Sequence, residues 1–371
     1  MPDRRLFKLF AAGLAALPVA LFAALFAPAA QAQQRLNLPA GEVFTHPHSQ
    51  VVVPAELAGL PRGEATLYAE DFLDVGINFD NPITRERLSV YIFRHTNGDV
   101  PVWFAQAQAS LESQLASQSP ELAFEASAFV PPGQPNASGL RAFYTLGEGS
   151  ARNSTGVALF DTGEWFVKLR ASSGRRSAAQ LALWMDEALR ALEVPVGDGG
   201  EVAPVIDCPD RLRFRGRARD VRGDAAGGPL AGLLGNLIMQ AAREAHDEEE
   251  GADAEPAAPV TWCRDHEIGP VQVVYRANAA TDSYLLALGD NGSAVHVAPD
   301  VMGQLLADEG DDPSGHYSVS LIMPARNLNF PTQDRMPAPN RVIQLLEANR
   351  VTGSVVTWGD ERRIEINSDA L

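Results

Sequence analysis

The chain has 371 residues, 46% of them hydrophobic, and carries 47 Asp and Glu against 30 Lys and Arg, a formal charge of −17 at pH 7. That balance argues against a nucleic-acid binder and against attachment to an anionic membrane surface, since both need basic patches. At this length two domains are the default expectation, and two cysteines allow one disulfide.

Residues 1–32 read as a secretory signal. Arg4, Arg5 and Lys8 form a basic end, residues 9–30 are almost wholly apolar, and Ala30-Gln31-Ala32 supplies the small residues a signal peptidase accepts. The alternative is an uncleaved anchor, which Pro18 and the small-residue site disfavour. Arg4-Arg5 is also compatible with twin-arginine export. The sequence therefore predicts a periplasmic or secreted protein with no stable membrane insertion after cleavage.

Residues 33–69 are punctuated by Pro and Gly and read as an extended lead-in. Within them, His46-Pro47-His48 could turn two imidazoles to one side, a pattern that binds Zn or Cu. No further ligands lie nearby in sequence, so a solvated loop is the expected role.

A first α+β domain is predicted over 70–194. Residues 75–79 and 88–93 are β-prone and separated by Asp80-Asn81-Pro82. Asp99 is a candidate N-cap for a helix over 100–118, where Trp103, Phe104, Ala107, Leu111 and Leu115 recur at helical spacing. Strands follow at 122–130, 140–146, 156–160 and 165–170. The last helix, 178–192, puts Leu181, Trp184, Met185, Ala188, Leu189 and Leu192 on one face. Element order, the Asn97-Gly98 turn before the first long helix and the strand pair before the last one carry a resemblance over 75–192. In these features the segment resembles the DcrB-like and PsbP-like group of exported periplasmic and chloroplast lumenal proteins. The resemblance implies that group's fold, an exported location and a non-enzymatic accessory or binding role. The chain departs from the group in lacking a lipid-anchoring Cys and in carrying a large C-terminal extension.

Residues 195–204 are a linker by composition. Beyond them Arg211, Arg213, Arg215, Arg217 and Arg219 alternate with Leu212, Phe214, Gly216 and Ala218, which predicts a strand with a wholly basic face. Guanidinium forks pair sulfate, phosphate and carboxylate groups, so the strip is a candidate anion-binding surface; the alternative is a solvated face balanced by surplus carboxylates. Residues 229–246 form a short amphipathic pattern, and 247–259 are acidic and rich in Ala and Pro. A second α+β domain is predicted over 205–371, with strands at 271–276, 284–289, 294–298, 316–323, 353–358 and 362–367 and helices at 301–307 and 338–349. Cys208 and Cys263 are expected to form one disulfide, which would stabilise the fold by about 4 kcal/mol. They lack the Cys-x-x-Cys spacing of a redox pair.

Nucleophile elbows, zinc-protease helices, phosphate loops and dinucleotide fingerprints are absent from the sequence. The remaining chemical cluster is Asp265-His266-Glu267, which could join His296 or His316 as bases or ligands. The reading is an α+β protein of two domains without cofactor or metal, acting as an accessory or interaction protein with another exported or envelope protein. The alternatives are a module binding an anionic ligand through the arginine-rich strand, and a hydrolase using His266 or His296.

Overall fold

The computed structural model describes residues 33–197, 199–221, 260–301, 315–359 and 363–367. Runs of alternating or continuously apolar β-prone residues dominate them, and almost all pair antiparallel. The first part contains β1 (Gln34–Leu36), β2 (Phe44–Thr45), β3 (Val52–Val53), β4 (Glu56–Leu57), β5 (Leu60–Ala69), β6 (Asp74–Asn81), β7 (Glu86–Arg94) and α1 (Val100–Gln114). After them come β8 (Glu121–Leu122), β9 (Ser127–Phe129), β10 (Gly139–Thr145), β11 (Ser154–Asp161), β12 (Trp165–Ser173) and α2 (Ala178–Arg190). The second part contains β13 (Ile206–Asp207), β14 (Trp262–Gly269), β15 (Gln272–Ala277), β16 (Tyr284–Leu288) and β17 (Ala294–Pro299). It continues with β18 (Tyr317–Ile322), β19 (Arg326–Asn329), α3 (Pro339–Glu347), β20 (Gly353–Val356) and β21 (Ile364–Ile366).

Two large sheets result. The first runs β1-β5-β6-β7-β12-β11-β10-β8, with β4 and β9 joining at its margins; the second runs β13 through β21 in chain order. The α+β expectation is therefore corrected to a predominantly β architecture, with 40% strand against 16% helix among the described residues. The excess of strand comes partly from residues 33–69, which are not a loose lead-in but supply five strands. Ten-residue β5 escapes a period-two reading because register shifts between Arg62 and Ala65 and between Leu67 and Ala69 break its alternation. The predicted strand 122–130 is in fact two short pieces, β8 and β9. The signal at 1–32, the amphipathic stretch 229–246, the acidic run 247–259 and all but the first residue of the helix at 301–307 lie outside the described residues.

Alternation assigns each face of the first sheet a different cover. Ala158, Phe160, Val167 and Leu169 meet α2 through Leu181, Trp184, Met185, Ala188 and Leu189. Helix α2 begins at a capping box in which Ser177 and Gln180 each satisfy the other's backbone N–H. On the opposite face Leu140, Tyr144, Val157, Leu159 and Phe166 meet α1 through Val100, Trp103, Phe104, Ala107 and Leu111.

That second cluster does not stop at α1. It also takes in Val273, Tyr275, Leu285, Ala287 and Ala294 of β15, β16 and β17, so the sheets share a core. Polar side chains fix the join. Gln106 donates to the carbonyls of Val271 (3.1 Å) and Gly289 (2.8 Å), Asn97 donates to Gly292 O (2.8 Å), and Lys168 pairs with Asp290 at 2.8 Å. Asp99 occupies the N-cap position of α1 as expected, but its carboxylate accepts from the Trp262 indole at 2.5 Å instead of capping the helix. Residues Gln33–Leu371 form one compact unit. Residues 195–204 are themselves tied back, with Gly197 N donating to Gly133 O and Val202 N to Ala137 O. A third cluster, on the outer face of the second sheet, packs Val274, Leu286, Val295 and Val319 against Val342 and Leu345 of α3 and against Leu212.

Candidate functional site

The arginine segment lies on that outer face. Its exposure pattern follows the sequence: Leu212 and Ala218 are buried, Phe214 is half-buried, and Arg211, Arg213, Arg215, Arg217 and Arg219 are all exposed. Of the strand expected over 205–219 only Ile206–Asp207 pair, as β13, and the arginine stretch itself is not a strand. Gly216 at φ +70° turns the chain into the left-handed region that a ladder strand does not use. The backbone N–H groups of Leu212 and Arg219 bind carboxylates in place of a neighbouring strand.

Anchors hold the segment at both ends. At its start, the Cys208–Cys263 disulfide joins chain stretches 55 residues apart, and Ile206 and Asp207 pair in parallel with Cys263 and Arg264. At Leu212, the backbone N–H donates to both oxygens of Asp265 at 3.2 and 3.0 Å. At its end, Arg219 N donates to the Asp334 carboxylate at 2.9 Å and Asp334 N donates back to Arg219 O at 2.9 Å. Asp220 accepts from Gln333 at 2.8 Å and pairs with Arg341 and Arg350. Burial pulls the Asp220 carboxyl upward, but the Gln333 hydrogen bond and the two arginines outweigh it and hold the group below its ordinary range. The Arg335 hydrogen bonds hold Asp334 down in the same way.

The Asp265 anchor explains the Asp-His-Glu triplet. The β14–β15 register shifts between Arg264 and His266, which leaves Asp265 as the extra residue and turns its side chain inward. There its carboxylate meets Arg276 Nε at 2.8 Å, both side chains almost fully enclosed, and it also contacts His266 Nδ1. Arg276 in turn donates to the carbonyls of Ala279 (3.3 Å), Ala280 (2.9 Å) and Asp210. Both oxygens of Asp265 are thus occupied by structural donors. His266 pairs with Val274 and His296 with Leu285 and Ser320. Val274 belongs to the outer core and Leu285 to the inner one, so the two imidazoles lie on opposite faces of the sheet. His316, ahead of β18, contributes its carbonyl to Asp300 N.

Local chemistry also places the imidazoles of 46–48. His46 is fully buried; its Nδ1 accepts from Ser49 N at 3.0 Å, so Nε2 carries the proton and donates to Phe72 O at 2.8 Å. Burial lowers its pKa to about 4. His48 lies parallel to the Trp165 ring, 5.8 Å away, and its Nε2 sits 2.9 Å from Asp71 O. Trp358 donates to the Asp71 carboxylate at 2.5 Å beneath the Arg94 guanidinium. These rings seal the seam between the first sheet and the end of the second. Among the described residues no group of three or more His, Cys, Asp or Glu could hold a metal ion.

No family model, curated protein or solved structure matches the chain. The site therefore rests on its own geometry. Four guanidiniums, those of Arg211, Arg213, Arg215 and Arg217, form no ion pair or hydrogen bond among the described residues, on a backbone held by a disulfide and three carboxylates. Sequence reasoning found the arginines, placed Asp265 in a chemical cluster instead of at their anchor, and missed Arg276, Asp334 and Asp220, which help to fix them.

Proposed function

We propose that this is an exported, non-catalytic binding protein whose segment 211–217 receives an acidic stretch of another exported or envelope protein. The observation that carries the reading is a set of exposed arginines with no partner among the described residues, in a chain of charge −17. Arg211, Arg213 and Arg215 precede the turn at Gly216 and Arg217 follows it, so the four guanidiniums present a bent basic strip to an acidic peptide. Each encounter can form a charge-assisted, bidentate pair. Because the backbone is already anchored, the arginines lose little further chain entropy on binding. No rearrangement is required.

The test is titration of a labelled extended oligoglutamate peptide into the whole protein and into an Arg213→Ala, Arg215→Ala variant. The reading expects salt-sensitive binding that weakens in the variant while the melting temperature holds, because both side chains are exposed and form no hydrogen bond or ion pair among the described residues. Undiminished affinity in the variant overturns it.

A further inference from the structure

A second basic cluster lies on the first sheet, away from the segment just described. Arg87 on β7 and Arg170 on β12 project from the face that carries α1, since the neighbouring Leu88 and Leu169 belong to the opposite core. Arg152, in the connection between β10 and β11, joins them: burial first, and then the nearby charges of Arg87 and Arg170, hold its guanidinium below its ordinary range. Arg85, from the turn before β7, donates to Ala151 O at 3.4 Å and so closes over the same connection. Arg85, Arg87 and Arg152 line a cleft of about 190 Å³ with Asp80 and Glu86.

The balance of charge in this cleft is unusual. Glu86 is already held by Arg175 at 2.9 Å and Arg176 at 2.8 Å, and Asp80 forms no ion pair among the described residues. Arg85, Arg87, Arg152 and Arg170 have no carboxylate partner among the described residues; Arg170 donates only to the Gln114 amide oxygen. Arg152 Nε is excluded from solvent without a hydrogen-bond partner. Gathering like charges costs free energy, and an anion in the cleft would remove that cost.

We propose that this cleft is a binding site for a tetrahedral oxyanion, phosphate or sulfate, free or carried as a small monoester. Guanidinium forks match two oxygens of such an ion at once. The volume fits this class: sites for drug-sized molecules run from about 300 to 1,000 Å³, so the cleft admits the charged group with little attached. Asp80, opposite Arg87 on the paired strand, then disfavours ligands that carry a second negative group beside the first.

Calorimetric titration of the whole protein with inorganic phosphate, inorganic sulfate and glycerol phosphate tests the site. The expected result is saturable one-to-one binding of at least one of them. It should weaken about tenfold or more in Arg87→Gln and again in Arg152→Gln, each lost charge-assisted pair being worth roughly that factor. Preference for glycerol phosphate over phosphate would assign the esterified source, and the reverse preference the free ion. Arg87 is exposed, so its variant keeps the test valid if Arg152→Gln does not fold. The Arg213→Ala, Arg215→Ala variant should bind these ions like the wild type, which separates failure of this site from failure of the arginine segment. Absence of saturable binding of all three ions, or unchanged affinity in Arg87→Gln, overturns the proposal.

Discussion

Asp265→Ala perturbs the pin that fixes the arginine segment. In the wild type the carboxylate neutralises Arg276, whose side chain is only 2% exposed, and accepts the Leu212 N–H twice. Removing it leaves a guanidinium charge enclosed without a counter-ion and an amide with no acceptor. Breaking one half of a buried pair costs about 3–5 kcal/mol, most of it the penalty of the abandoned charge. The double variant Asp265→Leu, Arg276→Met removes both charges together and is expected to lose much less, although the carbonyls of Ala279 and Ala280 then lack their donor. Urea unfolding of the three proteins, followed by tryptophan fluorescence, measures both differences. If Asp265→Ala unfolds within about 1 kcal/mol of the wild type, the pair is not the anchor described here.

Removing the disulfide with Cys208→Ser, Cys263→Ser is expected to cost about 4 kcal/mol for a closed loop of this length, and to expose the backbone at 211–219 to trypsin sooner than in the wild type. Equal digestion rates would show that the anchor is redundant. His46 should give stability an upward slope with pH. Its folded pKa of about 4 lies below the ordinary 6.5, so the stabilisation is complete above pH 6.5 and is lost as pH falls through 4, at most roughly 3 kcal/mol. Denaturant titrations at several pH values should show that slope vanish in His46→Phe. Asp74 should do the opposite. Burial, only partly offset by Lys168, raises its carboxyl to about 7, so its protonated form stabilises the fold below pH 3.8 and that contribution fades as pH rises to 7. Asp74→Asn should flatten the decline, and an unchanged profile would refute the assignment.

The helices and hairpins were legible wherever one face meets one core. All six apolar positions expected of the 178–192 stripe are buried, and the turn at 290–292 does join β16 to β17. Fold class was not legible, because β5 contains Pro61, Gly63 and two register shifts, and so offers no alternation to count. The arginine alternation correctly marked which side chains face water. It could not reveal that carboxylates, and not a strand, satisfy the backbone, since Asp265 and Asp334 lie 53 and 115 residues from the amides they bind. Asp265-His266-Glu267 misled for a related reason: a bulge turns the aspartate inward to Arg276, a partner that no local spacing announces. The cleft at Arg152 brings the stretch 80–87 against the β10–β11 connection, a meeting that no local spacing announces.

On the proposed reading, the outward arginines between 211 and 217 form a docking surface for negative charge. The most direct measurement is the affinity of an extended oligoglutamate peptide across a salt series, for the wild type and for a variant with Arg211, Arg213, Arg215 and Arg217 all changed to Gln. The account predicts that wild-type affinity falls steeply with salt and that the variant binds weakly with a nearly flat dependence, both proteins melting alike. Identical affinities and identical salt slopes would contradict it.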